Sequence, residues 1–179
     1  ENIAVTPGRV VFQNELMQLI QYNPSTPTVY QKPCLFVSPW INKFYILDLQ
    51  PENSFIRYAV SQGQRTFVVS WRNPDASMEK KTWDDYIEHA AIEAIHRVQD
   101  ITGAKQINAL GFCVGGTILT TALAVLAARG EKPVASLTLL TTLIDFTDTG
   151  ILDVFIDENM VRFREMQMGA GGILKGQDL

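Results

Sequence analysis

A cysteine flanked by glycines, between two apolar segments, constrains the fold of this chain more than any other feature. Residues 111–116 read Gly-Phe-Cys-Val-Gly-Gly; they follow the short apolar run 106–110 and open a longer one at 117–128. This order predicts a strand, a sharp turn and a helix. A nucleophile elbow has this layout, with small residues where the strand and the helix almost touch. Cys113 is therefore the candidate nucleophile.

Two other interpretations of these residues have to be considered. A cysteine in a glycine-rich turn can also be buried and unreactive, since free cysteine often packs as a small hydrophobic side chain. Gly111 and Gly116 have the spacing of a phosphate-binding loop, but Thr117 stands where such a loop needs a lysine. The phosphate-binding loop is excluded, and the choice between a reactive and an unreactive cysteine depends on the rest of the chain.

Composition excludes several classes of function. The chain has 15 basic and 19 acidic residues, a net charge of −4, and no polybasic run, which argues against a nucleic-acid partner. Its longest uninterrupted apolar run, 122–128, is too short to cross a bilayer. No signal peptide is expected at the start, because no basic segment there precedes an apolar one.

The two cysteines are expected to be free thiols. Cys34 begins one apolar strand and Cys113 ends another, so even on adjacent parallel strands they would lie roughly 15–20 Å apart at about 3.3 Å per residue. A disulfide needs Cα atoms within about 7 Å. Free thiols suit a reducing cytoplasm.

Strand-like and helix-like segments alternate along the chain. This alternation predicts a mostly parallel sheet covered by helices on both faces, with ligands bound beyond the carboxyl ends of the strands. Trp40, Ile41, Arg72, Cys113 and Asp145 all fall at that edge, which indicates an α/β-hydrolase fold. The predicted strands lie within 9–22 (two strands around a turn at 14–15), 34–37, 65–71, 106–110 and 134–142, and the predicted helices are 51–61, 82–101, 114–129 and 158–168.

His89 and His96 are the only histidines. They are seven residues apart on the predicted helix 82–101, on the face opposite its apolar stripe. We therefore expect both at the surface, away from the loops at the carboxyl ends of the strands. Neither is expected to serve as a base for Cys113.

Five segments together resemble the catalytic region of class I poly(3-hydroxyalkanoate) synthases, the bacterial polyester-storage enzymes. The resemblance implies (R)-3-hydroxyacyl-CoA substrates, a growing polyester chain held on Cys113, release of CoA, and no cofactor besides that substrate. It also implies a homodimer without a membrane span, located in the cytoplasm at the surface of polymer granules. The segments are 39–49, 69–75, 83–88, 111–117 and 139–146.

The chemistry implied by this resemblance suits a cysteine. A serine would hold the acyl chain as an oxoester, whereas a cysteine keeps it as a thioester, as activated as the incoming CoA thioester. In the hydrolase fold one oxyanion donor is the backbone N–H after the nucleophile, here Val114. For the second donor, in the loop after the third strand, we choose Ile41. Trp40 or Asn42 could serve instead, or the loop could simply pack under a cap.

The chain departs from the family in one respect. Family members complete the triad with an aspartate and a histidine well downstream, but no histidine follows Cys113. Asp145 ends the strand after the elbow helix, where some hydrolases place their acid, although the family's acid lies one strand later. We therefore expect Asp145 to be structural, and the remainder of the same synthase to supply the Asp and the His.

The domain prediction follows from the same resemblance. Residues 1–149 are expected to form the N-terminal part of an α/β-hydrolase core with the elbow, and 150–179 the start of a cap. Two alternatives remain open: an inactive structural or interaction fragment, and a thioesterase of the cysteine type.

Overall fold

The computed structural model describes residues 3–169 and 172–174. Six strands form one sheet in the order β1-β2-β4-β3-β5-β6. The strands are β1 (Gly8–Gln13), β2 (Met17–Tyr22), β3 (Cys34–Val37), β4 (Thr66–Trp71), β5 (Ile107–Phe112) and β6 (Val134–Leu140). The α-helices are α1 (Phe55–Ser61), α2 (Trp83–Tyr86), α3 (Glu93–Thr102), α4 (Val114–Ala128) and α5 (Glu158–Met168).

The sheet is mostly parallel, as predicted. Strands β4, β3, β5 and β6 pair in parallel, whereas β1 and β2 form an antiparallel hairpin whose second strand pairs with β4. Both faces are covered. Leu35 and Val37 pack in the core cluster that contains α3 and α4, while Phe36, between them in sequence, packs in the cluster that contains α1.

One helix boundary and the interior of one helix differ from the prediction. Pro51 opens a short 3₁₀ turn, and α1 begins only at Phe55, because the hydroxyl of Ser54 accepts the Arg57 N–H at 2.9 Å and caps the helix there. The predicted helix 82–101 begins at a capping box of Thr82 and Asp85, as expected. It contains a π-helical segment, Ile87–Ile92, between α2 and α3.

Helix α4 is less buried than its apolar sequence predicts. Ile118, Leu119 and Leu126 are fully buried, but Ala124 and Ala127 on another face are exposed. Strand β6 ends at Leu140, two residues earlier than predicted, and the middle of this edge strand is exposed. An apolar pattern shows which faces can be buried, and here none of the described residues covers these faces.

The region predicted as the start of a cap contains a 3₁₀ helix, Gly150–Phe155, followed by α5. Its apolar side chains are largely exposed; Ile151 is 80% exposed and Phe155 68%. Residues 170–171 and 175–179 of the predicted cap, including part of its glycine run, lie outside the described residues. No helix in the described part of the chain is long and apolar enough to cross a membrane.

Candidate active site

Cys113 lies at the apex of a strained turn between β5 and α4. Its φ is 56° and its ψ −129°, a region that non-glycine residues rarely adopt and that costs about 1–3 kcal/mol. Its backbone N–H donates to the carbonyl of Leu140 at 3.0 Å, and its own carbonyl accepts the Gly116 N–H at 2.9 Å. The side chain is exposed. These features are those of a nucleophile elbow.

The glycines of the elbow are required by close backbone approach. A Cβ on Gly111 would lie 2.8 Å from the Gly116 nitrogen, and one on Gly115 would lie 2.5 Å from the carbonyl oxygen of Ser38. A Cβ on Gly116 would lie 2.7 Å from Cγ2 of Thr142. The start of α4 therefore packs closely against the end of β5, against Ser38 just after β3 and against Thr142 just after β6.

The two cysteines differ in their surroundings. Cys34 pairs with Asn108 near the start of β5, whereas Cys113 follows the end of that strand. Both thiols are free, as predicted. Burial raises the pKa of the Cys34 thiol to about 12, which keeps it protonated at neutral pH. The exposed Cys113 is therefore the better candidate for a nucleophile.

The loop after β3 begins against the first turn of α4. Ser38 is fully buried; its hydroxyl donates to the Val69 carbonyl at 2.5 Å, and its own carbonyl accepts the indole N–H of Trp71 at 2.7 Å. The ring of Trp40 packs against Trp71, Trp83 and Tyr86, with centroids 6.1, 6.1 and 4.9 Å away. Its Nε1 is buried without a hydrogen-bond partner in the part of the chain that the structure describes.

The predicted oxyanion donors lie on the two segments that meet here. Val114 is the first residue of α4, where backbone N–H groups have no partner within the helix. Ile41 follows Trp40 in the loop after β3, with a side chain that is 65% exposed. The packing of Gly115 on Ser38 brings the two segments together. The choice of Ile41 over Trp40 or Asn42 stays a prediction.

His96 lies at the end of α4 opposite the elbow, and His89 makes no hydrogen bond to the elbow within the described residues. Nε2 of half-buried His96 is 3.1 Å from the carboxylate of Glu131, just beyond the C-terminal end of that helix. His89 is exposed and follows Glu88, whose carboxylate bonds Arg129 at the same end. Fifteen residues of α4 at about 1.5 Å each separate this end from Cys113 by about 20 Å.

Asp145 has a local structural role, in line with the expectation. Its exposed carboxylate accepts the backbone N–H of Thr147 at 2.9 Å and the Thr147 hydroxyl at 2.8 Å. These hydrogen bonds, the backbone one first, lower the pKa of Asp145. They hold the turn that follows β6.

Sequence reasoning missed three contacts that shape the site. These are the hydrogen bond from Trp71 to Ser38, the bond from the Thr117 hydroxyl to the Leu143 carbonyl at 2.7 Å, and the bond from Lys43 Nζ to Asn73 Oδ1 at 2.5 Å. The sequence held a signal only for the first of these, because a buried indole N–H, such as that of Trp71 at the end of a strand, usually finds a hydrogen-bond acceptor. The other two join side chains whose partners lie 26 and 30 residues away.

Family models match most of the chain. The model described as the N-terminus of poly-beta-hydroxybutyrate polymerase (PhaC) matches residues 1–59, and the model of the alpha/beta hydrolase fold matches residues 41–178. The predicted fold is therefore confirmed.

Curated relatives match along almost the whole chain. A poly(3-hydroxyalkanoate) polymerase subunit PhaC of Cupriavidus necator is 63% identical over 183 residues, covering 99% of this chain and 31% of the relative. The subunit of the same name in Rhizobium meliloti is 48% identical, covering 100% of this chain and 29% of the relative. The chain thus spans about a third of the length of these relatives, and the resemblance noted in its sequence is confirmed.

Solved structures share the fold at low identity. An ester hydrolase from the Lake Arreo metagenome has a TM-score of 0.57 and 17% identity, with 92% of this chain and 55% of that chain covered. The esterase rPPE, in mutant form, has a TM-score of 0.56 and 15% identity, with 96% and 50% covered. At these identities the likeness concerns the fold alone.

Proposed function

Because the chain belongs to the α/β hydrolase family and matches PhaC polymerases along its length, we propose that it carries the nucleophile of a polyhydroxyalkanoate synthase. The proposed activity is acyl transfer from (R)-3-hydroxyacyl-CoA to a growing polyester. The observation that carries the proposal is the exposed Cys113 at the strained apex of the elbow, whereas the second cysteine, Cys34, is half-buried and protonated at the other end of the strands.

In the proposed reaction, Sγ of Cys113 attacks the thioester carbonyl of the substrate. The backbone N–H of Val114 donates to the oxyanion that forms, with Ile41 as the proposed second donor. The bond from carbon to the CoA sulfur then breaks, and CoA leaves as a thiol with the proton that Cys113 gave up. The acyl group stays on Cys113 as a thioester, ready for attack by the hydroxyl of another hydroxyacyl unit.

The base that moves these protons is proposed to come from outside this chain. His96 lies about 20 Å from Cys113, no hydrogen bond joins the exposed His89 to the elbow in the described part of the chain, and Asp145 is engaged in its own turn. We propose that the remainder of the same polypeptide supplies an Asp and a His. The complete enzyme is proposed to be a homodimer that acts in the cytoplasm at the surface of polymer granules, with no cofactor besides its CoA thioester substrate.

A pair of matched variants tests the proposal. In the full-length protein that contains this chain, Cys113→Ala should lower CoA release from (R)-3-hydroxybutyryl-CoA by at least about 10³-fold, because the covalent step is lost. Cys34→Ala removes the buried thiol and should leave that rate within about threefold. Retained polymer formation by the Cys113→Ala variant would overturn the proposal. Free 3-hydroxybutyrate as the only product of the unmodified protein would instead identify a thioesterase.

A further inference from the structure

We propose that Trp71 is a positioning residue that holds the loop after β3, and with it the second oxyanion donor, in its working place. The inference rests on the proposed function, since it concerns the stabilisation of the oxyanion formed at Cys113. Its basis is the hydrogen bond from the indole N–H of Trp71 to the carbonyl of Ser38.

The bond is placed where solvent cannot replace it. Trp71 ends β4 and is 8% exposed, Ser38 is fully buried, and the Nε1 to oxygen distance is 2.7 Å. A buried carbonyl that loses its donor costs about 1–3 kcal/mol, and nearby water cannot restore the bond without opening the core. The orientation of the Ser38 carbonyl therefore depends on Trp71.

The same carbonyl lies against the elbow. A Cβ on Gly115 would be 2.5 Å from the Ser38 oxygen, so any rotation of this peptide group changes the packing of the first turn of α4. Trp71 therefore sets the spacing between the loop after β3 and the helix that begins with Val114.

The chain is stiff between Ser38 and the predicted donor. Pro39, which is buried, has a fixed φ and no N–H of its own. The ring of Trp40 is held among Trp71, Trp83 and Tyr86. Once the Ser38 carbonyl is fixed, the direction in which the backbone reaches Ile41 is largely fixed too.

The expected effect is confined to steps that form an oxyanion. Loss of one oxyanion donor costs about 10²–10³-fold in rate, and misplacement of a group by about 1 Å can cost about 10²-fold. Loosening the loop without removing the donor should cost less, so we expect a loss of roughly 10–100-fold. Reactions of the thiol that form no oxyanion should be unaffected.

Two reactions of the same thiol separate positioning from general damage. In the full-length protein, Trp71→Phe removes the N–H, and the single-turnover acylation of Cys113 by (R)-3-hydroxybutyryl-CoA should slow roughly 10–100-fold. Alkylation of Cys113 by iodoacetamide, which forms no oxyanion, should stay within about twofold. The matched control is Tyr58→Phe, which removes a hydrogen-bond donor from a ring of α1 that is 61% exposed and outside this aromatic cluster, and both of its rates should stay within about twofold.

A second variant keeps the shape of the ring. Replacing Trp71 by 3-benzothienylalanine exchanges the N–H for sulfur. If Trp71→Phe does not fold, this variant tests the positioning role instead, with the same expected slowing of acylation and unchanged alkylation. Unchanged acylation, or equal slowing of acylation and alkylation, would overturn the positioning role. Acylation of Cys113 in the unmodified protein tests the proposed function separately, so the two can fail independently.

Discussion

Gly115 packs directly on the carbonyl group of Ser38, so that a Cβ on the glycine would lie 2.5 Å from the Ser38 oxygen. The contact joins the first turn of the elbow helix to the end of β3. It explains why a glycine is needed two residues after Cys113: the helix and the neighbouring strand meet backbone to backbone. The geometry of the nucleophile thus depends on a position that carries no side chain.

Gly115→Ala should disable the elbow. The added methyl group would also lie 2.8 Å from the carbonyl carbon of Val37, and backbone cannot give way as a flexible side chain can. We expect CoA release by the full-length protein to fall at least about 100-fold. Gly103→Ala is the control, because its Cβ would meet no atom within 4 Å, and the strain from its positive φ of 68° falls at the end of α3, outside the elbow. A Gly115→Ala variant with normal turnover would contradict this account of the elbow.

Asp48→Ala should destabilise the fold. The fully buried carboxylate accepts from the Thr6 hydroxyl at 2.6 Å, the Thr6 N–H at 3.2 Å and the Ser54 hydroxyl at 2.5 Å. Its removal leaves these donors without their acceptor and loosens the N-cap of α1. We expect a loss of about 2–4 kcal/mol in the free energy of unfolding, measured by urea denaturation. The control is Asp84→Ala, at an exposed position, which should leave the midpoint of the urea denaturation almost unchanged. Equal effects of the two substitutions would show that the buried hydrogen bonds of Asp48 contribute little to stability.

Cys34 should react slowly with alkylating reagents while the protein is folded. Burial raises its pKa to about 12, so below that pH the thiol stays mostly protonated, and the reactive thiolate is scarce. At pH 8 we expect iodoacetamide to modify the exposed Cys113 at least about tenfold faster than Cys34. In urea, where burial is lost, the rate at Cys34 should rise. Peptide mass spectrometry of timed samples measures both rates, and equal rates in the folded protein would contradict the burial of Cys34.

Residues 1–179 expressed alone should not form a stable monomer. The middle of the edge strand β6 is exposed, and so is Ile151, at 80%. Buried apolar side chains contribute roughly 1.5–3 kcal/mol each against a net stability of about 5–15 kcal/mol, and bare sheet edges favour aggregation. Sedimentation velocity and thermal unfolding measure the outcome. A soluble monomer with one cooperative transition would contradict the expectation, and so would measurable polymerisation by this fragment.

The elbow could be predicted from the sequence because the residues that determine its structure are close neighbours in the chain. Gly111 and Gly115 flank Cys113 between a strand pattern and a helix pattern, and steric exclusion then allows few other structures. The parallel order of the strands followed from the alternation of strands and helices. The position of Thr82 at a helix start followed from its capping-box spacing to Asp85.

Contacts between distant segments could not be predicted in the same way. The π-helical segment coincides with a hydrogen bond from Asn14 to the carbonyl of His89, 75 residues away. The bond from Trp71 to Ser38 spans 33 residues and depends on which strands are neighbours in the sheet. The exposed side of α4 was missed because an apolar pattern does not say which segment covers it.

The identity of the acylated residue tests the central claim most directly. The full-length protein would be mixed briefly with (R)-3-hydroxybutyryl-CoA, quenched in acid and digested, and the acyl adduct located by peptide mass spectrometry. The account predicts a hydroxyacyl thioester on the peptide that contains Cys113, removed by hydroxylamine, and none on the peptide that contains Cys34. An adduct on Cys34, or polymer formation with no acyl group on Cys113 at any time, would contradict it.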